Sequence, residues 1–249
     1  MIIVDKRKFF IGSTLLTAFL VVLILMFVPM FGPKKELHFI DYAQQILNSL
    51  AKGSSYFIPQ LNPLVEKYKA YNFDISIDLK REGDTPESLN KRLLLAQKVF
   101  TINQISHEFE GSKVRIKFNL GNLLKIILED SDNLFFNRGE LIRQKYNIEE
   151  EKRLLRFWHL LLTRMEKNFA FELKEFEIAK DVKNVVMKAI EPAYNYYGIT
   201  PDSVRKNPLP LTLLLTWYII YTLWYGLGTL YFFEGLGLTA KRPKSKREI

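Results

Sequence analysis

Apolar and charged positions are arranged along this chain in two distinct ways. Phe9 to Pro33 and Asn207 to Phe233 contain no charged side chain at all. Between them, apolar and polar residues alternate with the periods of helices and strands. The first block, FFIGSTLLTAFLVVLILMFVPMF (Phe9–Phe31), precedes Gly32-Pro33; the second, LPLTLLLTWYIIYTLWYGLGTLYFF, runs from Leu209 to Phe233. A bilayer core of about 30 Å needs roughly 20 apolar residues in a helix, so each block predicts a transmembrane helix. The second, at about 1.5 Å per residue, reaches about 37 Å and spans with some tilt. Lys6, Arg7 and Lys8 before the first block resemble the start of a signal peptide. The apolar stretch exceeds the roughly 7–15 residues of such peptides, and no small-x-small cleavage site follows it, which predicts an uncleaved anchor.

The intervening pattern predicts a short amphipathic helix over 38–51, a loop framed by Pro59 and Pro63, and a brief helix over 64–71. Phe73, Ile75, Ile77 and Leu79 alternate with Asp74, Ser76, Asp78 and Lys80 as in a strand. Thr85-Pro86-Glu87 starts a helix expected to reach about Gln97, with Thr as cap and Pro in its first turn. Phe100–Phe109 and Val114–Phe118 read as the arms of a hairpin turning at Glu110-Gly111-Ser112. A helix over 120–128 is expected to end at the acidic run Glu129-Asp130-Ser131-Asp132-Asn133. Glu140–Tyr146 is a short helix. Glu149 to about Ile178 reads as one helix near 45 Å long, with Leu155, Trp158, Leu162, Met165, Phe169 and Phe176 at helical spacing. Asp181 is expected to cap a further helix to about Tyr194, with Pro192 as a kink or end, and Thr200-Pro201 to start a piece leading into the second apolar block. The predicted fold class is a membrane-anchored α+β protein: two transmembrane helices flank a mostly helical extracytoplasmic domain with a small antiparallel sheet. The segments are residues 1–8 (cytoplasmic), 9–31 (first span), 34–206 (the periplasmic domain), 209–233 (second span) and 234–249 (a basic cytoplasmic tail).

Composition sharpens this picture. The net charge of +9 resembles that of a basic soluble protein. Residues 34–206 nevertheless hold 28 Lys/Arg against 24 Asp/Glu, a net of +4. Much of the excess flanks the apolar blocks, which weakens a nucleic-acid reading, and no nucleic-acid partner is expected. Lys and Arg near a span mark its cytoplasmic end. Lys6, Arg7 and Lys8 precede the first block and Lys34 and Lys35 follow it; Arg205 and Lys206 precede the second, and Lys241, Arg242, Lys244, Lys246 and Arg247 follow it. Both termini are therefore expected in the cytoplasm, with the chain in the inner membrane and the central domain in the periplasm. The basic tail fixes topology, with anionic headgroup contact as a side effect. Zero cysteines exclude disulfides, thiolate catalysis, Cys-ligated zinc and iron–sulfur clusters.

The second span is rich in aromatic and small residues. Trp217, Tyr221, Trp224 and Tyr225 lie near mid-membrane, where indole and phenol groups seek partners. Thr222 and Gly226 form a small-xxx-small pair, and Gly228 leaves further room for a neighbouring helix. These seven residues predict a packed protein contact inside the bilayer, by self-association or with another membrane protein.

No catalytic, cofactor or metal site is read from the chain. His38, His107 and His159 lie far apart in sequence; His107 with Glu108 and Glu110 is the most metal-like group, beside a turn where an exposed polar end is the simpler account. Gly226-x-Gly228 and Gly235-x-Gly237 follow no strand and open no phosphate-binding helix. Asp130-x-Asp132 lacks the glycine and distal glutamate of a calcium loop. Asp74/Asp78 and Glu129/Asp130/Asp132 remain as carboxylate groups for an unrecognised hydrolase. Phe135, Phe136, Phe157, Trp158, Phe169 and Phe171 are the set that would line a cavity for lipid or another hydrophobic ligand. The leading expectation is a non-enzymatic scaffold or assembly subunit of an envelope complex.

Four stretches resemble a family of bacterial inner-membrane proteins known only as a domain of unknown function: Ala43–Tyr56 (AQQILNSLAKGSSY), Tyr71-Asn72-Phe73, Phe135–Leu141 (FFNRGEL) and Leu161–Leu173 (LLTRMEKNFAFEL). The resemblance covers about a third of the chain and implies an envelope protein with one N-terminal anchor and no assigned reaction. The second apolar block departs from that pattern.

Overall fold

The computed structural model describes residues 3–31, 36–200 and 208–238. Lys34, Lys35, Arg205, Lys206, the start expected at Thr200-Pro201 from residue 201 onward, and the tail bearing Lys241, Arg242, Lys244, Lys246 and Arg247 lie outside them. The described chain is mostly helical, with a three-stranded antiparallel sheet and two long apolar helices. It divides into two units, residues 1–50 with 202–249, and residues 51–201.

The first unit holds the apolar helices α1 (Lys6–Met26) and α10 (Pro208–Gly235), plus most of α2 (Phe39–Ser54). Both α1 and α10 are long and apolar enough to cross a membrane. Asp5 caps α1, its carboxylate accepting from Lys8 N at 3.1 Å. Few side chains of either helix are buried within the chain. Most of their apolar surface is therefore exposed within the described residues.

In the second unit the elements run α3 (Asn62–Lys67), β1 (Asn72–Asp78), α4 (Pro86–Ile102), β2 (Ser106–Glu110), β3 (Lys113–Asn119), α5 (Leu120–Phe135), α6 (Gly139–Tyr146), α7 (Lys152–Lys167), α8 (Phe176–Val185) and α9 (Glu191–Tyr196). The strand order is β1-β3-β2, all antiparallel, with Ile75 opposite Ile116 and Ile77 opposite Val114. Period-2 alternation puts Ile75, Ile77, Val114, Ile116 and Phe118 on the buried face and Asp74, Ser76, Arg115 and Lys117 in solvent. α7 runs through the core and buries Leu154, Leu155, Phe157, Trp158, Leu161, Leu162 and Met165.

Four boundaries differ from the sequence pattern. Residues 100–102 belong to α4, not to a hairpin arm, because Leu95, Ala96, Val99 and Phe100 bury at helical spacing. Asn103 closes that helix by donating to Val99 O at 2.9 Å. α5 does not stop at Glu129 but continues to Phe135. Leu124, Leu128, Ser131, Leu134 and Phe135 carry its buried stripe through the acidic run. The single long helix over 149–178 is interrupted: a π-helical turn, Asn168–Glu172, follows α7. Lys174 then adopts a positive φ of 58° and α8 starts at Phe176, packing against α7. The turn buries Phe169 against Phe73, ring centroids 4.8 Å apart, and expels Phe171 to solvent. Asp181 caps no helix; it lies within α8 and accepts from Lys67 Nζ and Tyr68 Oη, both at 2.7 Å.

Candidate functional site

The predicted contact residues of the second apolar block sit on α10, where a seam with α1 forms. Close approach starts from glycine. A Cβ on Gly12 would lie 2.2 Å from Phe232 N, and one on Gly235 would lie 2.5 Å from Phe9 Cα. Backbones therefore touch at both places, as only the absence of a side chain allows. A Cβ on Gly228 would meet Leu16 Cδ2 at 3.1 Å and Leu15 Cβ at 3.3 Å. As positions rise along α1 from Gly12 to Leu15 to Phe19, their partners fall from Phe232 to Gly228 to Tyr221, so the two helices are antiparallel.

Trp224 donates from Nε1 to Leu15 O at 3.0 Å. That bond gives an indole in apolar surroundings the acceptor it would otherwise lack. Tyr221 stacks on Phe19 at 4.3 Å and on Trp217 at 5.6 Å, and Tyr225 meets Phe19 at 5.1 Å. The Tyr221 hydroxyl is buried with no hydrogen-bond partner among the described residues. Lys8 Nζ and Glu234 Oε2 pair at 2.9 Å, and Val4 N and Asp5 N both donate to Gly235 O, closing the seam at the end that carries both termini.

Thr222 and Gly226 do not join this seam. Both are exposed, a Cβ on Gly226 would meet nothing within 4 Å, and Thr222 Oγ1 satisfies itself on Tyr218 O at 2.7 Å. The seven residues thus divide between an inward face (Trp224, Gly228, Tyr221, with Trp217 and Tyr225 at its edge) and an outward pair.

Beside the seam, α2 and α10 enclose an apolar groove of about 390 Å3 lined by Phe39, Tyr42, Ile46, Leu213, Leu214 and Trp217. Phe39 meets Trp217 edge-on at 5.9 Å.

In the second unit the carboxylates of the sequence reading fall in separate places: Glu129 and Asp132 line one open hollow of about 610 Å3 with Glu66, and Asp74 and Asp78 do not line it. Asp74 is held by Arg115 at 2.7 and 2.8 Å on the outer face of the sheet, and that guanidinium keeps its carboxyl below the usual range. Asp78 accepts from Lys80 N at 2.9 Å, which lowers it likewise. Asp132 pairs with Arg138 at 2.6 Å and accepts from Tyr56. Asp130 alone is fully buried. It accepts from Lys145 Nζ at 2.8 Å, Tyr146 Oη at 2.6 Å and Trp158 Nε1 at 3.1 Å. Burial pushes its pKa up against the pull of Lys145. With these donors engaged, Asp130 pins α5 to α6 and α7.

His107 lies between Phe100 and Phe109 with Nδ1 on Ile105 O, and His159 stands 3.7 Å from Glu191. No three metal-ligating side chains cluster among the described residues. Of the six aromatic residues considered for a cavity, Phe157, Trp158 and Phe169 fill the core, Phe135 is buried, and Phe136 and Phe171 are exposed.

Two features were missed from sequence. Lys52 is fully buried; its ammonium donates to Asn137 Oδ1, Tyr196 O and Ile199 O at 3.2, 3.0 and 2.6 Å and lies over the Phe135 ring. Burial lowers its pKa. A lone lysine in AKGSS carries no local sign of this. The second feature is a basic stripe on α7, which was legible as Arg156, Arg164 and Lys167 at i, i+8 and i+11.

No protein-family model, no curated protein and no solved structure matches this chain. The stretches resembling an envelope family therefore assign none.

Proposed function

We propose that this chain is a two-span inner-membrane protein whose periplasmic domain scaffolds or assembles an envelope complex without catalysis of its own, as an oligomer or accessory subunit. The carrying observation is the antiparallel α1–α10 pair, closed by glycine contacts and by a hydrogen bond from Trp224 to the α1 backbone. An antiparallel pair brings both termini to one side, in agreement with the Lys and Arg flanks that point to the cytoplasm. Lys52 supports the same reading from the domain. It joins residue 52, just inside one boundary of the second unit, to Tyr196 and Ile199, just inside the other. Two antiparallel spans need such adjacent connections. With Trp224 and Gly228 engaged internally, the face left for a partner is Thr222 and Gly226 with Tyr218, all exposed.

The absence of native cysteine makes the test direct. Single cysteines are placed at Lys113, in the sheet, and at Ser245, in the tail. A membrane-impermeant maleimide should label Lys113→Cys in cells with a permeabilised outer membrane, and Ser245→Cys only after lysis. The tagged protein, extracted in mild detergent, should run as an oligomer or bring down a stoichiometric membrane partner. A monomer without company would end the scaffold reading, and inverted labelling would end the topology.

A second reading is the handling of a hydrophobic ligand. It is favoured by the apolar groove between α2 and α10, of a size that holds an acyl chain.

A further inference from the structure

The charges of the second unit are mostly neutralised in pairs. Arg92 lies on Asp84, Arg115 on Asp74, Arg138 on Asp132, Arg143 on Glu140 and Glu151, and Arg153 on Glu150. Lysines such as Lys98, Lys113 and Lys180 also lie outside these pairs, but Arg81, Arg164 and Lys167 do so together at one place. Where the segment after β1 crosses α7 and α9, a groove of about 660 Å3 is lined by Arg81, Arg156, Arg164 and Lys167, with Glu191 as its one carboxylate among the described residues. Glu191 faces His159 at 3.7 Å. Leu155, Leu160, Ile190 and Tyr194 complete the wall.

Arg81 and Arg164 hold each other's segments. Arg81 Nη2 donates to Arg156 O and Arg164 Nη2 to Lys80 O, both at 3.0 Å. Neither has a carboxylate oxygen within 4.0 Å among the described residues, and the side chain of Lys167 makes no hydrogen bond or ion pair there. Tying the segment to the helix uses one donor per guanidinium, leaving most of each fork without a protein acceptor. Arg156 is partly answered by Glu150 at 2.5 Å. An adjoining hollow of about 260 Å3 shares Arg81 and Arg156, but its added cations Lys91, Arg92 and Arg153 are matched by Glu87, Asp84 and Glu150. The adjoining hollow thus adds no unmatched cation to the main groove. Consistent with this, burial and the neighbouring Arg92, Arg156 and Arg164 press the Arg81 pKa down against the pull of Asp84.

Half-buried arginines held against a backbone carbonyl, with no carboxylate in contact, are preorganised for an anion. The volume lies within the roughly 300–1,000 Å3 of small-molecule sites. Several forked cations match a polyvalent tetrahedral anion better than a single carboxylate, and the apolar wall accommodates the organic body it is attached to. We propose that this groove binds a phosphorylated ligand through Arg81, Arg156, Arg164 and Lys167, the phosphate being carried by a lipid headgroup or by a soluble compound. The proposal stands on the second unit alone and does not need the membrane reading.

The test uses the full chain in phosphatidylcholine nanodiscs, titrated calorimetrically with inorganic pyrophosphate and, separately, with short-chain phosphatidic acid below its micelle concentration. Lys167→Gln and Arg164→Gln should each weaken binding at least about tenfold. Arg115→Gln, which removes one positive charge from the outer sheet face, should leave it within about twofold. Because the Lys167 side chain makes no hydrogen bond or ion pair among the described residues, its variant separates lost binding from lost folding. Phosphatidic acid binding at least about tenfold tighter than pyrophosphate identifies a lipid headgroup; comparable or weaker binding identifies a soluble phosphate compound. If wild type binds neither probe up to millimolar concentration, or Arg115→Gln weakens binding as much as Arg164→Gln, the groove is not a phosphate site.

Discussion

Asp130 and Lys52 carry the largest residue-scale stakes, because each is a charged group with no exposed surface. A buried charge is tolerated only when its hydrogen-bonding capacity is met, and both meet it through partners far along the chain. For Asp130→Ala, Tyr146 Oη and Trp158 Nε1 lose their acceptor inside the core. The expected cost is about 3 kcal/mol, or roughly 6–12 °C in Tm for a unit of this size. Thermal unfolding followed by circular dichroism checks it; a change below about 1 kcal/mol would show that the network relaxes around the loss. Neither residue was legible as special. Asp130 looked like one acid in an acidic turn, since sequence shows the cluster Glu129-Asp130-Ser131-Asp132 but not that helical rotation turns only Asp130 and Ser131 inward.

At the scale of elements, the antiparallel seam is held by the absence of side chains. Gly228 places its α carbon where a Cβ would be 3.3 Å from Leu15 Cβ. A cysteine pair at these positions comes near the roughly 3.5–4.5 Å that a disulfide spans. Leu15→Cys/Gly228→Cys should therefore oxidise within one chain in native membranes, with no dimer on a non-reducing gel. A disulfide-linked dimer would mean that α10 faces another copy instead. Gly12→Leu should open the same seam, because its Cβ alone would overlap the Phe232 backbone; loss of the Leu15–Gly228 crosslink in that background measures it. Both apolar helices were readable because a charge-free run is a local property. The break after α7 was not. LLTRMEKNFAFEL keeps a helical period, and the π turn at Asn168–Glu172 arises from seating Phe169 on Phe73, about a hundred residues away. The hairpin arm misplaced at Phe100 has the same cause: Val99 and Phe100 suit either period until α4 packs on α7.

For the whole molecule, ion pairs on the second unit set the response to acid. Arg92 and the Arg81 amide hold the Asp84 carboxyl well below its ordinary 3.8, and Arg115 lowers Asp74. A carboxyl depressed on folding stabilises the fold above about pH 4, and that stabilisation drains as pH falls through the folded value. Asp130 works in the opposite sense, since its raised pKa makes protonation favour the fold. More carboxyls are depressed than raised, so Tm should fall as pH is lowered from about 4 to 2. Asp84→Asn should flatten that slope, and an unchanged slope would remove Asp84 from the account. Lys52 belongs to this scale too, because it fastens residue 52 to residues 196–199 and so fixes where the chain enters and leaves the unit.

From the sequence alone follow the two apolar helices, the alternating strands β1 and β3 and the helical character of the middle of the chain, because each is written in spacing between near neighbours. The tertiary structure alone decided which face of α10 meets α1, which acid and which lysine are buried, and where positive charge is left unpaired. These depend on side chains brought together from tens to hundreds of residues apart: Trp224 with Leu15, Lys52 with Ile199, Arg81 with Arg156. Burial and charge balance are sums over such neighbours, and a local pattern does not contain them.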